Sequence, residues 1–226
     1  MTLSERLTGV LSVLEPAMAT SSEACFADPH AARVYAHYLM AMHDIVCASV
    51  PLMCAAREGL VGRGHSLASR VIPYLDEHIE EERGHDQLVL HDLQTLGYDR
   101  SWVMSQDPFE NAAAMVGAQY YWVHHRDPVV LLAYPFVLEG YPTTIAWVSE
   151  LEVRTALPTE AFSALRLHAR LDHGHRDKLH RLLDELALPE PVSHWLTVNA
   201  LQTMGHVIGV LAEAAARGRV LSVAAG

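Results

Sequence analysis

The sequence has few cysteines and few lysines, and each shortage excludes a class of protein. Its three cysteines, Cys25, Cys47 and Cys54, form an odd set without a Cys-x-x-Cys pair. A disulfide scaffold and a thiolate zinc site are therefore excluded, and reduced thiols in a cytoplasmic protein fit best. The 16 basic residues are outnumbered by 27 acidic ones, which gives a net charge of −11. Because such a surface repels phosphate backbones, we expect no nucleic-acid partner.

Long apolar runs are also missing. The longest ones, 45–56 and 128–138, fall short of the ~20 residues that a membrane span requires, and both contain proline. The first six residues lack the basic and then apolar order of a secretory signal. These features predict a cytoplasmic protein without a membrane partner. The length of 226 residues, 50% of them hydrophobic, suits one domain with a continuous core.

Apolar residues recur at spacings of three and four almost throughout the chain, and alternating strand-like runs are missing. Prolines and glycines divide this pattern into about seven helical segments. The pairs Asp28-Pro29 and Asp127-Pro128 mark helix starts, and Asp107-Pro108-Phe109-Glu110 adds a capping-box glutamate. The sequence therefore predicts an all-α bundle, a single domain over residues 1–226. Its predicted helices span 4–19, 29–57, 66–96, 107–126, 127–152, 159–186 and 191–217.

Two of the predicted helices carry ionisable residues on an otherwise apolar stripe. In segment 66–96, His78, Glu82 and His85 follow one another at steps of three or four. The leucine stripe of segment 159–186 is interrupted in the same way, by His168, Asp172 and His175. Since an unpaired buried carboxylate costs several kcal/mol, we expect a cation to compensate these groups. Two helices that point histidine and carboxylate inward are what a metal site in a bundle requires.

A further carboxylate, Glu139, lies in an otherwise uncharged aromatic run and is expected to be buried. The candidate ligand set then holds three carboxylates and three imidazoles: Glu82, His85, Glu139, His168, Asp172 and His175. Two divalent ions would exceed the three negative charges by about one unit, which a bound oxygen species or substrate can balance. Nitrogen and oxygen ligands without thiolate suit iron or manganese better than structural zinc.

Other polar groups near these stripes have different interpretations. His78 could orient a ligand carboxylate, contact a substrate or replace a ligand, and we assign it the first role because ligand carboxylates are usually oriented in this way. The acidic run around it is predicted to be a solvated helix face, with only Glu82 buried. Cys47 and Cys54 lie seven residues apart on one helix face and are predicted to be core thiols.

Taken in order, Glu82-x-x-His85 with Leu88, the isolated Glu139 and His168-x-x-x-Asp172-x-x-His175 resemble the ligand pattern of the haem-oxygenase-like diiron oxidases. These are also called iron-containing redox enzymes. The order and spacing of the motifs cover nearly the whole chain. The ferritin-like pattern needs a second Glu-x-x-His motif, which this chain lacks.

The resemblance implies a haem-oxygenase-like fold and two iron ions that cycle between Fe(II) and Fe(III), with O2 as co-substrate. It also implies that all six candidate residues are iron ligands and carry the catalysis. The substrate would be a small metabolite derived from an amino acid or a fatty acid. The implied reactions are N-oxygenation, C–H oxidation or C–C cleavage in natural-product biosynthesis.

Two alternatives from other classes stay open. Thiaminase-like and quinone-cofactor-synthase-like enzymes share this scaffold and use no metal. A thiaminase needs a nucleophilic cysteine, for which Cys47 or Cys54 is available. A non-catalytic iron-binding bundle is the other alternative, and oxygen uptake coupled to a product separates it from an enzyme.

The substrate is less well defined by the sequence. The aromatic run 134–141 and a second group, Tyr120, Tyr121 and Trp122, predict an aromatic-lined cavity. A substrate carboxylate could be clamped by an arginine, with Arg33, Arg57 and Arg126 as candidates. We expect a small-molecule substrate, with a homodimer as a possible assembly.

Overall fold

The computed structural model describes residues 1–27, 29–141 and 143–220, and for His173 it describes the backbone alone. It is 82% helical and without strands over the part of the chain that it describes, which confirms the all-α prediction. Eleven α-helices and two 3-10 turns occur in these residues instead of the predicted seven helices. The α-helices are α1 Leu3–Leu11, α2 Glu15–Phe26, α3 Ala31–Gly62, α4 Ala68–Glu82, α5 His85–Thr95, α6 Arg100–Met104, α7 Glu110–His125, α8 Ala133–Leu138, α9 Ile145–Thr155, α10 Ser163–Glu185 and α11 Glu190–Arg219.

The two longest helices, α3 and α11, pack on each other at the centre of the bundle, and both contact α7 and α2. The buried side chains form one cluster to which most of the helices contribute. α3 also packs on α4 and α5, so it supports the helices that carry the first ionisable stripe. By length and composition α3 alone among the described helices could cross a membrane, a test that the core helix of a soluble protein also passes.

Three of the predicted helices are broken in the structure, and the short helix α6 lies between two predicted segments; together these account for the higher count. The first, 4–19, divides into α1 and α2 because Pro16 stands in the first turn of α2 and cannot donate to a preceding turn. The third, 66–96, divides into α4 and α5 at Gly84. This residue has φ 91°, a left-handed conformation that glycine adopts without steric cost.

The fifth predicted helix, 127–152, divides into three pieces. A 3-10 turn, Pro128–Leu132, continues into α8, and α9 begins only at Ile145. The turn after α8 is tight: a Cβ atom at Gly140 would lie 2.3 Å from the Phe136 carbonyl oxygen, so only glycine fits. Glu139 precedes this glycine, and the turn therefore fixes its position.

Helix starts are capped only in part as the sequence predicts. Asp127 does cap the turn Pro128–Leu132, where its side chain accepts from the Val129 N–H at 2.9 Å. The predicted cap Asp28 lies outside the described residues, as does Pro142 of the fifth predicted helix. At α7 the expected capping box of Asp107 and Glu110 is replaced by distant carboxylates. The Phe109 N–H donates to Asp44 at 2.9 Å, and Glu213 accepts from Glu110 and Asn111. Tertiary contacts thus supply what local sequence was expected to supply.

Candidate metal centre

Four segments carry the ionisable residues toward one point inside the bundle. His78 and Glu82 stand one turn apart on α4, and His85 is the first residue of α5. Glu139 directly follows α8. The α10 residues are His168, Asp172 and His175. All seven side chains are buried except that of His168, which is half-buried.

The first group of candidate donors contains His78, Glu82, Glu139 and His175, whose donor atoms all lie within 4.8 Å of one another. His78 Nε2 lies 2.8 Å from Glu139 Oε1, and His175 Nδ1 lies 3.8 Å from Glu139 Oε2. The His78 and His175 rings meet edge to face with centroids 4.8 Å apart. Two carboxylates and two imidazoles from three segments therefore surround one point.

The second group contains Glu82, His85 and His168, with donor atoms again within 4.8 Å of one another. His85 Nδ1 lies 3.0 Å from Glu82 Oε2. The His85 and His168 rings are 5.0 Å apart and nearly perpendicular. Glu82 belongs to both groups, so its carboxylate lies between two sets of histidines. The helix break at Gly84 keeps Glu82 and His85 together although they stand on different helices.

Three buried atoms of these groups have no hydrogen-bond partner among the described residues: Glu139 Oε2, His168 Nε2 and His175 Nδ1. Burying such atoms without a partner costs free energy, and native proteins rarely leave them so. Together with a donor set made only of nitrogen and oxygen, these atoms fit bound divalent metal ions. The residues present therefore suit the two ions that the sequence resemblance implies.

Asp172 lies beside the two groups and not within them. Its Oδ1 is 3.3 Å from His168 Nδ1, so the opposite ring atom, His168 Nε2, is the one left without a partner. This geometry lets Asp172 fix the orientation of the His168 ring. The assignment of Asp172 as an iron ligand stays a prediction, as do those of the other five residues.

Glu81 has a role that the sequence did not indicate, since its run was predicted to be a solvated face. Glu81 Oε2 lies 3.1 Å from His175 Nε2, and Lys178 donates to Glu81 Oε1 at 3.0 Å. The Nδ1 atom of His175 is thereby directed toward the first group. In the sequence, Lys178 stands one turn after His175, and a basic residue at that position could have indicated an acidic partner for this part of the helix.

The charges of the centre depend on burial and on the neighbouring rings. Burial acts to raise the pKa of Glu82, but the contact with His85 holds it below its usual range. Burial raises the pKa of Glu139. Burial opposes protonation of His78 and His168, yet the carboxylates of Glu139 and Asp172 raise the pKa of these two rings.

A cavity of about 760 Å³ opens beside both groups, and Glu82, Glu139 and His168 form part of its wall. Tyr134 and Tyr141 of the aromatic run line it as predicted, whereas Tyr120, Tyr121 and Trp122 do not. The three candidate arginines, Arg33, Arg57 and Arg126, are also absent from its lining.

The expectation that Cys47 and Cys54 are core thiols is wrong. Cys47 is exposed, and Cys54 is half-buried at the edge of the core. Neither residue lines the cavity. Partial desolvation of the sulfur and the charges of Asp86 and Asp44 raise the pKa of Cys47 to about 11. A thiol nucleophile in this cavity therefore finds no support.

No protein-family model and no curated protein matches this chain. Solved structures do resemble it. A domain of unknown function with a haem oxygenase-like fold from Shewanella denitrificans is 17% identical, with a TM-score of 0.77 over 95% of this chain and 92% of its own.

Two further structures have the same overall shape. A TenA homologue from Pseudomonas syringae pv. tomato is 12% identical, with a TM-score of 0.66 over 92% of this chain and 91% of its own. Haem oxygenase 2 from Chlamydomonas reinhardtii, solved without haem, is 16% identical, with a TM-score of 0.65 over 93% of this chain and 96% of its own. The chain therefore has a haem-oxygenase-like fold.

Proposed function

We propose that this protein is a non-haem diiron enzyme that uses O2 to oxidise a small metabolite. The observation that carries the proposal is the position of Glu82, whose carboxylate is shared by two groups of buried nitrogen and oxygen donors. A carboxylate between two metal positions holds two ions in one site, as in other carboxylate-bridged bundles. The motif resemblance and the haem-oxygenase-like fold agree with this reading.

The residues that would hold the metal are His78, Glu82, Glu139 and His175 for one ion and Glu82, His85 and His168 for the other. Bound iron would supply the electrons and the Lewis acidity that oxygen chemistry needs. The sequence assignment of six ligands included Asp172 and placed His78 outside the ligand set. The geometry favours His78 as a direct donor and Asp172 as the group that orients His168.

The protein would orient the metal-binding rings and surround the site with an apolar wall. Glu81 and Asp172 fix the rings of His175 and His168, so that one nitrogen of each ring faces inward. Most of the exposed surface of the cavity wall is apolar, which would keep water away from a substrate bound beside the donors.

Iron loading followed by oxygen exposure tests the proposal. The purified chain is loaded anaerobically with Fe(II), desalted and mixed with O2, and bound iron and oxygen consumption are measured with candidate amines, amino acids and fatty acids. We expect about two irons per chain and oxygen uptake that one substrate class accelerates. His168→Ala should lose one of the two irons and the oxygen uptake, whereas His124→Ala, which changes an exposed ring on α7, should retain both irons and the uptake.

Two outcomes would contradict the proposal in different ways. Iron binding without oxygen uptake for every candidate would indicate a non-catalytic iron-binding bundle. No more than one iron per chain after anaerobic loading would contradict the shared role of Glu82. If no iron binds at all, the metal-independent enzymes on this scaffold become the better interpretation, in line with the similarity to the TenA homologue.

A further inference from the structure

The cavity next to the donors has an unusual charge distribution. The described residues that line the cavity include neither lysine nor arginine. They include four carboxylates: Glu15, Glu82, Glu139 and Asp172. Two histidine rings, His78 and His168, also line the cavity, and both belong to the donor groups. Away from the donor groups and Asp172, Glu15 is the one charged residue among the described lining residues. A carboxylate or phosphate head group placed there would meet a like charge and no cation of the chain, so this part of the wall selects against the anionic head groups that an arginine clamp would have bound.

The outer end of the cavity combines a carboxylate with aromatic rings. Glu15 is exposed at the start of α2, so it marks the mouth, whereas the donor residues are buried at the inner end. The Tyr141 hydroxyl donates to Glu15 Oε1 at 3.3 Å. A carboxylate keeps further acceptor capacity after accepting one such bond.

Three more rings line the cavity and pack on one another. Phe26 contacts Tyr38 and Trp147 edge to face, with centroids 5.0 Å apart in both pairs. Aromatic faces attract ammonium groups, with tryptophan the strongest, and an adjacent carboxylate adds charge. The lining also contains aliphatic side chains, Met42, Ile45 and Val46 among them. The cavity therefore combines a carboxylate at its exposed end with aromatic and aliphatic surface that can hold an apolar chain.

From this arrangement we propose that the cavity binds a hydrophobic primary amine, with its ammonium group at Glu15 and its apolar chain directed toward the donor residues. That this amine is also the substrate rests on the function proposed above. A volume of about 760 Å³ lies in the usual range of small-molecule sites. The amine replaces the carboxylate-bearing substrates that the sequence alone left open.

Calorimetric titration of the purified full chain with octylamine, octanoate and octan-1-ol tests the site. The three probes share a chain and differ in the charge of the head group. We expect octylamine to bind about tenfold more tightly than octan-1-ol, and octanoate to bind least. Glu15→Gln should weaken octylamine about tenfold and leave octan-1-ol unchanged. Glu23→Gln, at an exposed residue of the same helix that is outside the cavity wall, should change neither.

A second variant tests whether the charge at position 15 decides which head group binds. Glu15→Arg should reverse the preference, so that octanoate binds more tightly than octylamine. The proposal is overturned if octanoate binds the unsubstituted chain at least as tightly as octylamine does. It is also overturned if Glu15→Gln and Glu23→Gln have equal effects, or if none of the probes binds.

The two proposals can fail separately. Octylamine that binds through Glu15 but never stimulates oxygen uptake by the iron-loaded chain supports the amine site and contradicts the oxidase. Oxygen uptake with an amino acid or fatty acid, together with no binding of octylamine, supports the oxidase and overturns the amine site.

Discussion

Asp92 Oδ2 accepts the backbone N–H of Ala164 at 2.8 Å, and this bond joins α5 and α10, the helices that carry the two histidines of the second donor group. Asp92 stands on α5, two turns after His85, and Ala164 lies in the first turn of α10, one turn before His168. The aspartate is completely buried. Burial raises its pKa, and the Ala164 N–H acts against that effect. The cap of one helix therefore sets the distance between two candidate ligands.

Removing this cap should loosen the metal site as well as the fold. We expect Asp92→Ala to lower the free energy of unfolding by about 1–2 kcal/mol, as lost N-caps do, and to weaken iron binding. Asp92→Asn keeps the acceptor oxygen and should recover most of both. Asp99→Ala, which removes the cap of the surface helix α6, should reduce stability without changing iron affinity. Chemical denaturation and iron titration measure the two effects, and unchanged iron affinity in Asp92→Ala would refute the link.

The shared position of Glu82 predicts a particular pattern of iron stoichiometry. His175→Ala and His85→Ala should each leave about one iron per chain, because each ring belongs to one donor group. Glu82→Ala should leave less than one, because it removes a donor from both groups. Elemental analysis after anaerobic loading and desalting measures this. Equal losses in all three variants would show that the groups do not act separately. His125→Ala, at an exposed ring, is the control.

Charge removal at Glu139 should separate metal binding from folding. Burial raises the pKa of Glu139, so the ionised form is disfavoured in the metal-free protein. We expect Glu139→Gln without metal to melt at the same temperature as the unsubstituted protein or up to a few degrees higher. The stabilisation that iron gives should largely disappear. A clear fall in the melting temperature of the metal-free variant would mean that the carboxylate is needed for folding.

The left-handed turn between α4 and α5 allows a test with a matched control. Gly84→Ala places a Cβ atom at φ 91°, which should cost about 1–2 kcal/mol of stability. Gly64→Ala, at φ 56° in the turn between α3 and α4, should cost a similar amount. Only Gly84→Ala should also weaken iron binding, since it moves His85 relative to Glu82. Equal iron affinities in the two variants would contradict the role given to this turn.

Acid should weaken the attachment of α1 to α10. Asp184 accepts hydrogen bonds from the backbone N–H and the hydroxyl of Ser4, at 2.8 and 2.9 Å. Partial burial acts to raise the pKa of Asp184, but these bonds hold it below its usual range. The resulting stability is therefore present above the pKa of the unfolded chain, about 3.9, and is lost as the pH falls through the lower folded value. The stability difference between the unsubstituted protein and Asp184→Asn should narrow below about pH 4 in denaturation series. A constant difference from pH 3 to 7 would contradict this reading.

The helical periodicity of the apolar residues correctly predicted the all-α class of fold and the segments that carry the candidate metal ligands. Glu82 and His85 were expected on one helix, and the spacing of three kept them adjacent even though Gly84 divides that helix. Backbone angles at a glycine depend on tertiary packing, so no pattern of apolar residues could reveal this break.

The missed site residues have a similar explanation. Glu81 was assigned to solvent because it lies off the apolar stripe of its helix, on which Glu82 stands. Its partners, His175 and Lys178, are nearly a hundred positions away in the sequence and come close only when α10 packs on α4. The two donor groups could not be separated for the same reason, since Glu139 and His78 meet only in the folded chain.

The donor residues come from three parts of the chain that are far apart in the sequence, on α4 and α5, after α8, and on α10. Ions bound between them would act as cross-links that the unfolded chain cannot form, so their binding energy adds to the stability of the fold. At a free iron concentration of about one hundred times the dissociation constant, one such site contributes about 2.7 kcal/mol. If the proposed iron ions are bound in the cell, iron supply would set how long the protein survives proteolysis, and the protein's abundance would follow the availability of the metal.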